Sequence, residues 1–259
     1  MLFVNSEYET KRMEIRTLTD PLTGSNCYIV EENGQVLLID PNLPEEVIQI
    51  LKRESLTLSM VILTHEHCDH ISGLNRIRAW NRTQTQVIAS RRCSENIQSA
   101  KMNLSRIFGV YLFYVTGERC RDYPAYTCEG ATRIFDEELE MDWNHHEIHC
   151  YHIPGHSEGS IAVTIDQKII FSGDSYLRDQ EVITKFPGGS QEDYEQKAKT
   201  FFEALPDDCW ICPGHGEIFW KGESVIARKA FAVIPVKEIS GNASGKTEYH
   251  KLSGMSLDN

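Results

Sequence analysis

The chain reads as an α/β protein built in layers. Apolar runs of strand length, rich in Val, Ile and Leu, alternate with stretches of helical spacing. The order strand, helix, strand recurs. Strands followed by helices occur twice along the chain, as two similar halves facing each other would give. With 259 residues and 41% hydrophobic content, one large domain can bury a proper core, and no apolar run approaches the roughly 18 residues of a membrane span.

Each element has a local reason. Residues 13–18 alternate polar and apolar, as a half-buried strand does, and 19–24 form a turn around Pro21 and Gly24. Residues 26–30 and 36–40 read as a hairpin that Asp40-Pro41-Asn42 ends. Residues 45–53 are helical, with Val47, Ile50 and Leu51 on one side; 58–63 form a strand, 71–80 a helix, 86–89 a short buried strand and 91–106 a helix. Residues 108–115 concentrate Phe108, Tyr111, Phe113 and Tyr114, which fit either a packed core or an apolar wall beside a site. Residues 117–133 are irregular. Strands are expected over 136–141, 147–153, 160–166, 168–172 and 209–212. Ser190 caps a helix over 191–205, with Glu192 and Asp193 in its first turn where the helix dipole favours them. A closing helix is expected over 225–234. After Pro235 the chain turns polar and Gly/Ser-rich, so 1–235 is expected as the folded domain and 236–259 as a flexible tail.

Composition excludes some functions. A formal net charge of −12 disfavours nucleic acid, whose binding depends on a Lys/Arg surface. The N-terminus lacks a basic, then apolar, export pattern. The eight cysteines follow no framework spacing, so reduced thiols in a cytoplasm are expected. The expected partner is a small-molecule substrate, without membrane attachment.

Chemistry concentrates where the strand over 58–63 ends, in Thr64-His65-Glu66-His67-Cys68-Asp69-His70. His65 and His67 are two apart and share a face of extended chain. Asp69 and His70 follow as the chain turns into a helix. Imidazole and carboxylate are ligands that zinc, iron and manganese accept. Such a density of donors behind an apolar strand points to a metal site.

His65-Glu66-His67-Cys68-Asp69-His70 resembles the His-x-His-x-Asp-His signature of the metallo-β-lactamase superfamily. Three later motifs match in order: Pro154-Gly155-His156-Ser157, Phe171-Ser172-Gly173-Asp174 and Cys212-Pro213-Gly214-His215-Gly216. The resemblance covers roughly residues 14 to 235. It implies a four-layer αβ/βα sandwich, two β-sheets with helices outside. It implies two divalent metal ions, zinc first, with iron or manganese as alternatives. His65, His67 and His156 would hold one ion, Asp69, His70 and His215 the other, and Asp174 would bridge them. A hydroxide shared by the ions would attack the substrate, with Asp69 and Asp174 as the catalytic carboxylates. Asp40 is expected to brace the ligands from behind.

A carboxylate at Asp174 resembles the glyoxalase II-like, general hydrolase branch. The implied substrate is a thioester or other activated ester, with lactone and phosphodiester hydrolysis as alternatives. Glyoxalase II contacts glutathione through a helical domain after its last histidine; with 259 − 215 = 44 residues after His215 here, glutathione recognition in that manner is not expected. A mononuclear iron persulfide dioxygenase is the competing enzyme reading, and a scaffold that kept the fold the non-enzymatic one. Tyr176 and Lys185 are expected to meet substrate, with Phe113 and Tyr114 as further lid residues. Cys68 is either a redox-sensitive thiol or a small buried filler. His145, His146, His149 and His152 are read as surface residues. Cys209-x-x-Cys212 lies in a strand, where residues three apart face opposite sides, so it is not read as a metal or redox pair. Ser240 to Thr247 approaches a phosphate-binding loop one place out of register, and is read as tail.

Overall fold

The computed structural model describes residues 13–81, 85–117, 123–178, 180–222 and 249–252. Two sheets face each other. The first contains β1 (Glu14–Thr19), β2 (Asn26–Glu32), β3 (Gln35–Ile39), β4 (Thr57–Ile62), β5 (Gln86–Ser90) and β6 (Arg133–Phe135). The second contains β7 (Glu138–Trp143), β8 (His146–His152), β9 (Ile161–Ile165), β10 (Ile169–Gly173), β11 (Trp210–Pro213) and β12 (Phe219–Trp220). A last strand, β13 (Tyr249–Leu252), pairs antiparallel with β1, so the first sheet runs β13-β1-β2-β3-β4-β5-β6 and the second β12-β11-β10-β9-β8-β7. These four residues are therefore paired inside the stretch expected as a tail. The rest of that stretch, the closing helix over 225–234 and the loop-like run Ser240 to Thr247 lie outside the described residues.

Helices α1 (Pro44–Arg53), α2 (Cys68–Ile71), α3 (Leu74–Trp80) and α4 (Arg91–Asn96) follow strands of the first sheet, and α5 (Ser105–Thr116) precedes β6. Helices α6 (Gln191–Asp193) and α7 (Lys199–Ala204) flank a π-helical turn, Tyr194–Ala198, before β11. Period-two alternation distributes each strand between two cores. Leu37 and Ile39 of β3 share the core between the sheets with Val163, Phe171 and Cys212, while Val36 and Leu38 share the outer core with Ile48, Leu51 and Leu74 of the helices. In the second half, Ile169 and Phe171 point between the sheets and Ile170 points to Phe202. Both faces of the central strands are covered, which is why they read as unbroken apolar runs. The result is the αβ/βα sandwich expected. Cys212 lies in the inter-sheet core and Cys209 in the outer one, so this pair does face opposite sides. The seven described cysteines are free thiols.

Some boundaries differ from expectation. The helix expected over 91–106 stops at Asn96, and a second begins at Ser105. Leu104 has φ +65°, and Asn103 Oδ1 accepts the Ser105 N–H at 2.9 Å, ending one direction and starting another. The aromatic stretch thus lies on α5. The helix expected over 71–80 is split at Ser72-Gly73. The β2–β3 turn, Asn33-Gly34, has positive φ at both residues (52° and 77°), the geometry a two-residue hairpin loop requires. Ser190 caps α6 as read, its Oγ accepting the Asp193 N–H at 3.1 Å. Among the described residues, no helix is long and apolar enough to cross a membrane.

Candidate metal centre

The expected donors all stand at the C-terminal ends of strands, on one rim of the sandwich. β4 delivers His65 and His67, and the one-turn α2 delivers Asp69 and His70. The loop after β8 delivers His156, the end of β10 Asp174 and the end of β11 His215. Donor atoms of His65, His67 and His156 lie within 4.8 Å of one another, as do those of Asp69, His70 and His215. Asp174 stands between the sets. Its Oδ1 is 3.4 Å from His70 Nε2, and its Oδ2 is 3.4 Å from His215 Nε2 and 3.6 Å from His156 Nε2. Asp69 Oδ2 is 3.4 Å from His215 Nε2.

The rings are fixed from behind. Asp40 accepts the Thr64 N–H (2.7 Å) and hydroxyl (2.5 Å), and stands 3.2 Å from His70 Nδ1. The Thr64 hydroxyl has spent its proton on Asp40, so at 3.0 Å it accepts from His65 Nδ1. His156 Nδ1 donates to the Ile183 carbonyl at 2.8 Å. This network favours the Nδ1 proton, so that in each ring, when neutral, Nε2 is the nitrogen that carries the lone pair. His65 Nε2, His70 Nε2 and Asp174 Oδ1 are buried and make no hydrogen bond. Buried polar atoms are almost always paired, and these lie where the two donor sets converge. Asp40, His65 and His70 form a third close group, but Asp40 is already engaged by Thr64, so it braces the rings. That is the role expected of it.

Two glycines make this approach possible. A Cβ at Gly214 would collide with Asp174 Oδ1, and a Cβ at Gly155 (φ +144°) would come within 2.5 Å of Tyr194 Cα in the π-helical turn. Gly155 thereby seats the His156 loop on that turn, a helical irregularity common beside functional sites. The first sheet grips the His215 loop directly. Asn26 Nδ2 donates to the Pro213 and Gly216 carbonyls (3.0 and 2.8 Å), and Tyr28 OH donates to the Pro213 carbonyl at 2.6 Å. Ser25 Oγ donates to the Asp69 carbonyl at 2.8 Å.

The electrostatics divide the donors. Burial pushes His65, His67 and His156 down, His67 to about 3, so all three are neutral; His156 Nε2 and His67 Nδ1 are hydrogen-bonded to each other at 2.9 Å. Burial also lowers His70 and His215, but Asp174 and Asp69 outweigh it and raise them to about 9 and about 11. Burial works against the Asp69 and Asp174 carboxylates, yet His70 and His215 hold both below the usual range. A dense carboxylate–imidazole cluster thus needs positive charge at its centre, which protons or cations can provide.

One residue in the motif was given no role by the sequence. Glu66 is fully buried and points away from the donors. Its carboxylate accepts from Asn96 Nδ2 (2.9 Å) and Ser157 Oγ (2.8 Å), tying the β4 end to α4 and to the His156 loop. The signal was present: alternation puts the residue between two same-face histidines on the opposite face.

Five of the donors, His67, Asp69, His156, Asp174 and His215, line the floor of a cleft of about 520 Å3. Polar Thr19, Thr23, Gln180 and Glu181 line it together with apolar Leu104, Ile107, Phe108, Tyr111, Leu177, Ile183 and Phe186. Neither Tyr176 nor Lys185 lines it. Tyr176 stacks on Phe202, centroids 4.9 Å apart, as part of the outer core, and Lys185 is exposed. Phe113 is on α5 but 49% exposed, away from the lining; the Tyr114 side chain lies outside the described residues. Cys68 is buried among Leu104, Phe108 and Leu112, and burial raises its thiol, so it fits the filler reading and not the redox one. Of the other histidines, His146 contacts Asp166 and Glu32, and His149 contacts Glu147, all remote from the cleft lining.

A family model described as the metallo-beta-lactamase superfamily matches residues 20–215, a span holding all seven donors. A Streptococcus pyogenes protein named "Probable metallo-hydrolase" is 26% identical over 207 residues, 79% of this chain and 84% of that one. A hydroxyacylglutathione hydrolase of Haemophilus influenzae is 27% identical over 209 residues, 74% of this chain and 85% of that one. Among solved structures, the B3 metallo-beta-lactamase BLEG-1 superposes with a TM-score of 0.68 at 24% identity, covering 81% of this chain and 95% of that one. That likeness speaks for the fold.

Proposed function

The chain belongs to the metallo-beta-lactamase superfamily and is a metal-dependent hydrolase, and on that premise we propose that it cleaves a thioester or other activated ester with two divalent metal ions, zinc first. The observation that carries the reading is the convergence of seven donors, with His65 Nε2, His70 Nε2 and Asp174 Oδ1 buried and unpaired at its centre. His65, His67 and His156 would hold one ion and Asp69, His70 and His215 the other, with Asp174 shared. Ions so held supply Lewis acidity toward the substrate carbonyl and lower the pKa of water to about 7.

The chain's own residues do the rest. Thr64, Asp40 and the Ile183 carbonyl hold three imidazoles in the tautomer a cation needs. Asp69 and Asp174, ionised at neutral pH, are the carboxylates placed to take the proton of the attacking water. Hydrolysis joins the water oxygen to the acyl carbon, breaks the C–S or C–O bond, and releases a carboxylate, a proton and the thiol or alcohol. The relative named hydroxyacylglutathione hydrolase is 85% covered by this chain, which supports a thioester substrate. The mononuclear iron alternative needs fewer donors than the two complete sets around Asp174.

Metal analysis of untagged protein prepared without chelator tests the reading, together with a thioester screen that follows thiol release. About two ions per chain and thiol release support it. A single iron per chain with oxygen uptake and no hydrolysis would overturn it in favour of a dioxygenase.

A further inference from the structure

Much of the cleft lining is apolar. Apolar residues of α5 and of the loop before α6 make up this wall, and it begins at the metal donors themselves. Phe186 meets the His67 ring edge-on at 6.0 Å and Tyr111 at 5.8 Å, and Tyr111 packs on Phe108 at 5.6 Å. Leu104, Ile107 and Ile183 extend this surface. Ile107 is 45% exposed and Ile183 44% exposed, so the apolar surface stays open to whatever enters the cleft. Apart from the donors, the charged side chain among the described lining residues is the acidic Glu181. An apolar surface continuous with a reacting centre recognises an apolar group bonded directly to the scissile carbonyl. A carboxylate at the same mouth would face Glu181 and a chain of net charge −12.

We propose that the substrate presents an apolar acyl group of several carbons to the wall of Phe108, Tyr111 and Phe186, and that this wall sets acyl-chain preference. This rests on the ester-hydrolase reading above and narrows its substrate class to apolar acyl thioesters or esters without an anionic group near the scissile bond. The tightest-fitting chain length is set where the wall ends at Ile107 and Ile183.

The test uses the metal-loaded protein and a series of N-acetylcysteamine thioesters, from acetyl to octanoyl. The leaving group is small and neutral throughout. Each buried methylene should raise kcat/KM by about fourfold until the wall is filled. A matching series of ketones, with CH2 in place of sulfur, reads the same preference by calorimetric binding and needs no turnover. Tyr111→Ala and Phe186→Ala should flatten both profiles while metal content stays the same. Ile107→Lys, on the half-exposed rim, should do likewise without opening a space in a packed region.

Flat profiles in both hydrolysis and ketone binding would overturn the proposal. So would a preference that follows the thiol chain instead of the acyl chain. Length-dependent ketone binding with no hydrolysis of any member would uphold the apolar wall and overturn the hydrolytic reading on which it rests.

Discussion

Around the floor of the cleft, the Nδ1 atoms of His65, His70 and His156 are each committed to a hydrogen bond, and Asp40 is held by two from Thr64. On the wall, Phe108, Tyr111 and Phe186 are held by ring contacts at 5.6–5.8 Å, and Tyr111 is 36% exposed. The floor is directional and buried; the wall is nondirectional and half open. Directional bonds fix atoms to a few tenths of an ångström, which metal coordination demands, whereas apolar contact tolerates ligands of several shapes. One protein can therefore keep its reaction constant while its substrate preference drifts.

The sharpest way to break the floor is Asp174→Ala, which removes the carboxylate facing both donor sets. It should cost at least about 10³-fold in kcat/KM and reduce metal content, read by elemental analysis on folded protein. Unchanged stoichiometry would mean that Asp174 is not shared. Asp40→Asn keeps the shape but removes charge behind His70, and should weaken metal affinity or activity by about 10–100-fold. An effect below twofold would reduce Asp40 to a turn residue. Glu66→Ala should leave Asn96 and Ser157 unpaired in a buried place, costing about 2 kcal/mol in urea unfolding. Glu66→Gln, which still accepts one of these bonds, should cost less; equal losses would show that the charge and not the bonding matters.

A comparison away from the cleft sets the lower end of the scale. Burial lowers His146, but Asp166 and Glu32 outweigh it, so its folded pKa lies above the ordinary value near 6.5. The protonated ring therefore contributes stability that is fully present below about pH 6.5 and is lost as pH rises through the raised folded value. The contribution should be at most about 1 kcal/mol, and His146→Gln should remove that pH dependence from urea unfolding without altering metal content.

The floor was legible in the sequence because it depends on short spacing. His65 and His67 share a face by strand alternation, and each later donor follows an apolar run with a Gly-containing turn. Asp40 was legible as the acid that ends a buried strand. The wall was not. Tyr176 and Lys185 were expected at the substrate and are elsewhere, because which side a loop residue takes depends on packing that no local period records. Phe186 escaped notice as part of a Pro-Gly loop. The split between α4 and α5 hinged on one left-handed residue, Leu104, whose side chain gives no warning of that conformation. Glu66 was readable in principle, but its partners Asn96 and Ser157 are 30 and 91 positions away.

The grip of Asn26 and Tyr28 on the loop of His215 joins the two sheets at one corner of the rim. Ions held as proposed would join them again, linking positions 65 and 156, 91 apart, and positions 70 and 215, 145 apart. Each ion would then act as a reversible cross-link closing a long loop, and the entropy removed from the unfolded chain grows with the logarithm of that length. The same atoms that would activate water would also work as a strap, drawn tight by metal and slackened by chelator. Availability of the ion in the surroundings would set how firmly the two halves are bound to each other.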